Sequence, residues 1–380
     1  MRKPYFVATV FVTISFASRI EAQGALSLQG LGYPAGGFSA RAEGTGGGIA
    51  DFDAFSSVSP AALAGVGSSA LFLQYSPEFR RVTTASGSAN TTTARFPLIE
   101  GVLPIGESWT LGLSSSTFLD RSSETNLKRA QIVGGPTDTV SLTERNKVLG
   151  AIDDFRLGLA WSTSPAFRIG VGAHAFAGSN RITFSQLFPD SAKFISSAQA
   201  GRISYAGFAG SLGIEWHPSR VIGFALSGRK GGDLRAQSGD TAIGSGRLPD
   251  HYSASATFEG IPGATVSARV AHDNWSSLNS LSSPGIQAFD GWDTGAGLEA
   301  SGPRILQRII TLRAGARFRT LPFGLNGEKV SEKSFAAGFG APLTRDRASL
   351  DVAIQRASRS AGTDIKERGF ILSIGLRVSP

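Results

Sequence analysis

The constraint that most narrows the fold of this chain is a period of two, seen most clearly in the segment 370–378. Phe370, Leu372, Ile374, Leu376 and Val378 alternate there with Ile371, Ser373, Gly375 and Arg377. A strand written this way has one greasy face and one face that is mostly small or polar. The same pattern recurs upstream in segment after segment, and the whole chain contains no cysteine. One such strand would fit the core of a soluble sandwich. More than a dozen of them behind an export signal fit a transmembrane β-barrel with its apolar face toward lipid.

The export signal is legible at the start. Arg2 and Lys3 precede an apolar stretch over 5–17, and small residues follow up to Ala22. That stretch is shorter than the roughly 17–25 residues of a membrane-spanning helix, so residues 1–22 read as a cleaved signal peptide. Its removal leaves 34 basic and 28 acidic residues, a net of +6. The surplus is scattered rather than concentrated on one element, which argues against a nucleic-acid platform. Scattered Arg and Lys suit anionic head groups of outer-membrane lipid and lipopolysaccharide instead. Without cysteine there is no disulfide framework and no thiolate metal site.

Glycine is abundant, 48 of 380 residues, against a usual ~7%, while the mean hydropathy is only +0.02. Tilted, closely packed strands with small residues on one face account for both values. The expected architecture is therefore all-β: an antiparallel transmembrane barrel of about 14 strands with an N-terminal plug. Residues 23–67 form the plug, or hatch, and 68–380 the barrel. Candidate strands run over 69–83, 92–104, 108–121, 127–133 with 139–150, 153–163, 167–177, 180–188, 202–216, 220–229, 250–259, 263–275, 287–300, 307–319, 331–343, 347–357 and 367–378. Short turns at 164–165 and 218–219 should face the periplasm, and the longer polar stretches 231–247 and 324–332 the outside. Trp109, Trp161, Trp216, Tyr205, Tyr252, Trp275 and Trp292 lie near strand ends, as interfacial girdles require.

Within the hatch, 40–50 reads as a glycine-permitted turn structure. A short helix is expected to start at Pro60 with Ser59 as its cap. Phe52, Phe55, Val58 and Leu63 are candidates for lining an apolar ligand pocket. Gly44, Gly46, Gly47 and Gly48 supply close approach to the wall. No dinucleotide or P-loop fingerprint is present, since Ile49 stands where the last glycine would be and no Lys-Ser/Thr pair follows. The histidines His174, His217, His251 and His272 show no metal spacing, and no G-x-S-x-G elbow occurs. Asp51/Asp53, Asp153-Asp154 and Asp190 lack cation-loop spacing and read as solvated turn charges. No catalytic residue, metal or cofactor is expected.

Three stretches resemble one family. The first is 39–50, Ser-Ala-Arg-Ala-Glu-Gly-Thr-Gly-Gly-Gly-Ile-Ala, with 53–63, Asp-Ala-Phe-Ser-Ser-Val-Ser-Pro-Ala-Ala-Leu. The second is Leu248-Pro249-Asp250 followed by a strand and then 268–277, ending Asp273-Asn274-Trp275-Ser276-Ser277. The third is 312–318 with Leu321-Pro322. In order and spacing they are similar to the outer-membrane long-chain fatty acid transporters of the FadL/TodX type. The chain departs from that family in Ser59, where asparagine is usual, and in ending Ser379-Pro380 rather than on an aromatic residue. The resemblance implies a 14-stranded, hatch-plugged channel for hydrophobic small molecules, long-chain fatty acids or aromatic compounds; with no energy-coupling segment recognisable, uptake is expected to be passive, and a monomer is expected. Alternatives are a structural or secretion-accessory barrel that binds protein partners and an outer-membrane lipid hydrolase.

Overall fold

The computed structural model describes residues 32–84, 87–132, 139–189, 194–281, 287–305, 307–325, 327–344, 347–361 and 365–380. Residues 1–22, expected as a signal peptide, residues 23–31, expected as the start of the hatch, and Asp190 lie outside them. Sixteen strands are formed among the described residues. They are β1 Ala70–Thr84, β2 Gly87–Ile105, β3 Trp109–Asp120, β4 Ser123–Ile132, β5 Thr139–Ser164, β6 Phe167–Leu187, β7 Ser197–Trp216 and β8 Ile222–Ser238, then β9 Thr241–Arg247, β10 His251–Ile261, β11 Ala264–Asp273, β12 Gly291–Ile305, β13 Arg308–Leu325, β14 Glu328–Thr344, β15 Ala348–Ala361 and β16 Ile365–Val378. Every pairing is antiparallel, β16 closes on β1, and β8 pairs directly with β10. Fourteen strands thus close the ring. β4 and β9 stand outside this count because each continues a broken strand, β4 extending β3 against β5 and β9 preceding β10 against β8.

Closure joins the first and last strands of the sheet, and the alternation sorts the side chains. On β1, Leu71 and Phe79 are 57% and 51% exposed, while Phe72, Gln74, Glu78 and Arg80 point inward and are buried. Around the ring the outward positions carry Leu103, Leu113, Leu157, Val171, Leu212, Phe224, Leu298, Phe335 and Ile354, all exposed. This continuous apolar belt is a lipid-facing surface. Among the described residues no helix is long and apolar enough to cross a membrane.

Short turns near residues 106–108, 165–166 and 262–263 lie at one end with the start of β1 and the end of β16. The paired extensions of β4, β5, β6 and β7 rise from the other end. There the 3-10 segment Trp275–Leu281 folds back against β9, where the glycines at 244 and 246 make room for Leu281. Beneath it a cluster of Phe118, Leu119, Ile152, Phe176, Tyr205, Leu234, Leu248, Trp275 and Leu278 fills that end of the lumen.

Several expectations change. Segments 139–150 and 153–163 are one strand, as are 167–177 and 180–188, because the strands run far beyond the belt without a breaking residue. The stretch 231–247 is not a loop but a hairpin turning at 239–240, and most of 324–332 is strand, in the end of β13 and the start of β14. Tyr205 and Trp275 belong to no girdle, being buried inside the barrel, whereas Trp109, Trp161, Trp216, Tyr252 and Trp292 are exposed near strand ends. Residues 40–44 are helical (α1, Ala40–Gly44), and it is Ser39 that caps them by accepting the Ala42 amide at 3.1 Å. Ser59 makes no side-chain cap bond, and the segment it precedes is the 3-10 turn Pro60–Gly65.

Candidate functional site

Residues 32–67 lie within the ring, and small residues explain how they fit. Gly46 and Gly47 take φ of 60° and 82°, where a side chain is strained. A Cβ on Gly46 would stand 2.6 Å from the Ala316 nitrogen, and one on Gly48 2.6 Å from the Ser267 hydroxyl. The wall answers in kind. Cβ atoms on Gly295, Gly297 and Gly315 would come within 2.1–2.3 Å of backbone atoms of Thr45 and Gly46. On the opposite side Gly170 and Gly213 accommodate Pro60 and Ala61, and Leu63 seats between Gly112 and Gly158. The glycine surplus is therefore spent largely where backbone meets backbone.

Ionic contacts hold the segment at three places. Tyr33 stands in a cage of arginines: Arg359 donates to its hydroxyl at 2.7 Å, Arg319 also donates, and the hydroxyl donates to Glu332 at 3.0 Å. The guanidinium groups of Arg80, Arg95, Arg319 and Arg359 all lie 4.5–5.8 Å from its ring centre. Burial pushes the Tyr33 hydroxyl above its ordinary pKa, so it stays protonated and can donate. Asp51, fully buried, accepts Ser227 at 2.9 Å, Ser253 at 2.7 Å, Arg269 Nε at 2.9 Å and also Ser255. Burial pushes its carboxyl up, but Arg269 and the three serines outweigh this and hold it below the usual range. Arg41 forms a two-pronged pair with Glu299 at 2.8 and 2.9 Å, and Glu299 continues through Arg313 to Asp351. Inside the segment, Asp53 accepts the Ser39 and Ser56 hydroxyls and ties α1 to the turn that follows. Asp51, Asp53 and Asp154 are thus buried, correcting the reading of these acids as solvated turn charges.

The wall is incomplete beside Tyr33. Pairing of β2 with β3 runs from Ile105↔Trp109 only to Leu98↔Ser116, and above that point β2 pairs only with β1. Residues 32–36 occupy the space. Tyr33 exchanges both backbone hydrogen bonds with Asp120 at 2.8 Å, and Gly36 lies so close to Thr117 and Pro97 that a Cβ would be 2.5 Å from the Thr117 oxygen. Asp120 ends β3 at the break before β4, and its carboxylate accepts Arg95 at 2.6 Å.

The segment separates two cavities. One of about 120 Å³ is lined by Phe38, Val58, Phe118, His174, Trp275 and Trp292 among others. A second of about 390 Å³, toward the short-turn end, is lined by Phe52, Phe55, Phe72, Arg41 and Glu299. The proposed pocket residues therefore do not converge on one space. Phe52 and Phe55 face the lower cavity, where Phe55 stacks on Phe72 at 5.3 Å. Val58 faces the upper one, and Leu63 is wholly buried against Val102 and Ala160.

His174 points into the lumen between Asp154, 2.8 Å from Nδ1, and Ser211, 2.8 Å from Nε2. This order matches a serine hydrolase triad. Ser211, however, sits mid-strand, paired to Gly172 on one side and Arg229 on the other, so neighbouring amides are committed to the sheet rather than gathered as an oxyanion hole. Among the described residues no three His, Asp or Glu side chains gather as metal ligands.

The same barrel fold is found in solved structures. A Pseudomonas aeruginosa FadL homologue superposes with a TM-score of 0.64 over 92% of this chain and 99% of its own, at 14% identity. The Pseudomonas putida toluene transporter TodX gives 0.57 over 91% and 98%, also at 14% identity. This is the FadL/TodX-type fold. The Ralstonia pickettii toluene transporter TbuX shares it, with a TM-score of 0.56 over 93% of this chain and 99% of its own at 14% identity. No family profile and no curated protein sequence matches the chain. Placed on the FadL/TodX-type fold, the three sequence stretches converge: residues 44–48 rest on Gly315, and Asp51 reaches Ser253 and Ser255 of β10 and Arg269 of β11. Tyr33, Ser227 and the wall glycines escaped sequence reading. Their only signal there was a high glycine count with no positional meaning.

Proposed function

We propose that the protein is an outer-membrane channel for passive, diffusive uptake of hydrophobic small molecules, long-chain fatty acids or aromatic compounds, and not an enzyme. In this reading 1–22 is the export signal, 23–67 the hatch and 68–380 the barrel, with the short turns in the periplasm. The observation that carries it is the gap between β2 and β3, at the height of the apolar belt, closed only by hatch residues 32–36. A greasy molecule gains nothing by crossing to water. It gains by leaving sideways into the bilayer, where its apolar area stays out of water. A hatch that swings from the gap opens that route, and the upper cavity, with Phe38, Phe118, Trp275 and Trp292 in its wall, is where a ligand would wait. The fold relatives support the reading, two being named toluene transporters.

The test is uptake of radiolabelled oleate and of toluene by cells carrying the protein, against cells with an empty vector. Uptake above the vector level for at least one of the two is expected. Vector-level uptake of both, by a protein whose heat-modifiable gel mobility shows an assembled barrel, overturns the proposal.

A further inference from the structure

On β1, β14, β15 and β16 the acids and bases are sorted between the two faces of the wall. Glu78, Glu332 and Glu367 point inward and are consumed by Arg80, Arg319 and Arg359. Their chain neighbours Lys333, Lys366 and Arg368 point outward and are exposed, as are Arg81 and Arg356. Among the described residues none of these five has an ion-pair partner. Arg81 donates only to the Ser88 hydroxyl at 3.2 Å, and Arg356 lies 5.9 Å from the Phe370 ring centre.

The sheet register packs the five into one patch. Arg81 pairs with Arg368, Arg368 with Ser358, and Ser358 with Lys333, giving one row across four strands. The row beyond it holds Lys366, opposite Thr83 and Ser360, and the row below holds Phe79, Phe370, Arg356 and Phe335. No carboxylate occupies any of these positions. At about 4.8 Å between strands, Arg81 and Lys333 stand about 14 Å apart. The patch begins where the apolar run Leu71, Leu73, Tyr75, Phe79 ends, at the end of the barrel away from the short turns. Four unneutralised cations above an aromatic row that holds the fifth, Arg356, all facing lipid, are costly unless an anion of the membrane itself meets them.

We propose that this face binds the doubly phosphorylated, multiply acylated glucosamine head group of lipopolysaccharide, one phosphate on Arg81 and Arg368 and the other toward Lys333. A disaccharide phosphorylated at both ends spans the row, its acyl chains lie on Phe79, Phe370 and Phe335, and guanidinium forks suit phosphate oxygens. A single-phosphate phospholipid could engage only one end of the row. The inference rests on the outer-membrane reading above.

Full-length mature protein in detergent is titrated, by native mass spectrometry, with bisphosphorylated lipid A, monophosphorylated lipid A and phosphatidylglycerol. The bisphosphorylated lipid should bind best. Replacing Arg81, Lys333 and Arg368 together by serine should weaken it by about 10- to 100-fold. The equal charge change at the exposed Arg181, Arg202 and Arg235 of β6, β7 and β8 should leave it within about twofold of wild type. Equal losses in both triple variants, or no preference for the second phosphate, overturn the site. Membrane fractionation and heat-modifiable mobility of the same preparations separate the two proposals. A barrel that fractionates with the outer membrane but fails to bind overturns the site alone, and one that fractionates with the inner membrane overturns both.

Discussion

If residues 32–36 seal the wall, Tyr33 is the bolt, and Tyr33→Ala should loosen it. The variant removes a buried ring flanked by four guanidinium groups and a hydroxyl joined to Glu332, Arg319 and Arg359. Aromatic-to-alanine changes at such sites cost about 3–5 kcal/mol. Because the ring belongs to the seal rather than the barrel ladder, that cost falls on the closed position of the segment. Its closed-to-open ratio should drop by about 150- to 5,000-fold. Tyr33→Phe keeps the ring and loses only the hydroxyl. Arg319 and Arg359 stay paired with Glu332 at 2.5 Å, so the loss should fall at or below the low end of about 1.5–3 kcal/mol for bonds to charged groups. Amide exchange of peptides covering 32–40 reads the ratio directly, and oleate uptake reads its consequence. Both should rise in the order wild type, Phe, Ala. Unchanged exchange in Tyr33→Ala would refute the cage as the fastening, and faster exchange with lower uptake would show that the segment forms part of the route instead of blocking it.

Asp51→Asn leaves Asp293, 3.5 Å away, as the one carboxylate paired with Arg269 among the described residues, and should weaken seating of the segment by about 3 kcal/mol, read as earlier trypsin cleavage at Arg41 on heating. Gly315→Val would put side-chain carbon within 2.2 Å of the Thr45 carbonyl carbon, so the same assay should show a displaced hatch in a barrel of normal heat-modifiable mobility. Burial pushes the Glu43 carboxyl up despite the pull of Arg317 and Arg319. A raised carboxyl pKa means that seating is strongest below the ordinary value of 4.5 and weakens as pH rises through the raised value. Glu43→Gln should therefore delay cleavage at pH 7, with the advantage vanishing near pH 4, and an advantage that persists at pH 4 would contradict this assignment.

The barrel was legible because its signal is repeated and local. Each strand declares its lipid face by alternation, so merging 139–150 with 153–163 changes the count but not the architecture. The segment inside the ring was legible as a non-strand stretch but not in its contacts. Ser39 and Ser59 both precede helix-like runs, and only the tertiary setting makes the first a cap while the second packs against Gly213. Leu63 looked like a pocket residue and is a wedge between two wall glycines. Asp51 looked solvated because its four partners come from residues 227, 253, 255 and 269, a separation no local pattern reveals.

The polar fastenings suit the role proposed for the segment, a hatch that moves. A segment seated by a large apolar interface would lose burial on any displacement, at about 25 cal/mol for each Å² exposed, with no compensation along the way. Here the broad contacts set the segment closely on wall glycines, and the specific ones are carboxylates, hydroxyls and guanidinium groups at Tyr33, Arg41 and Asp51. In the closed position these groups satisfy one another. Once the segment moves and water follows it, each can exchange its partner for water or for the neighbour it already touches, as Arg313 can between Glu299 and Asp351. The closed state is thereby specific in position, while leaving it costs less than the sum of its bonds.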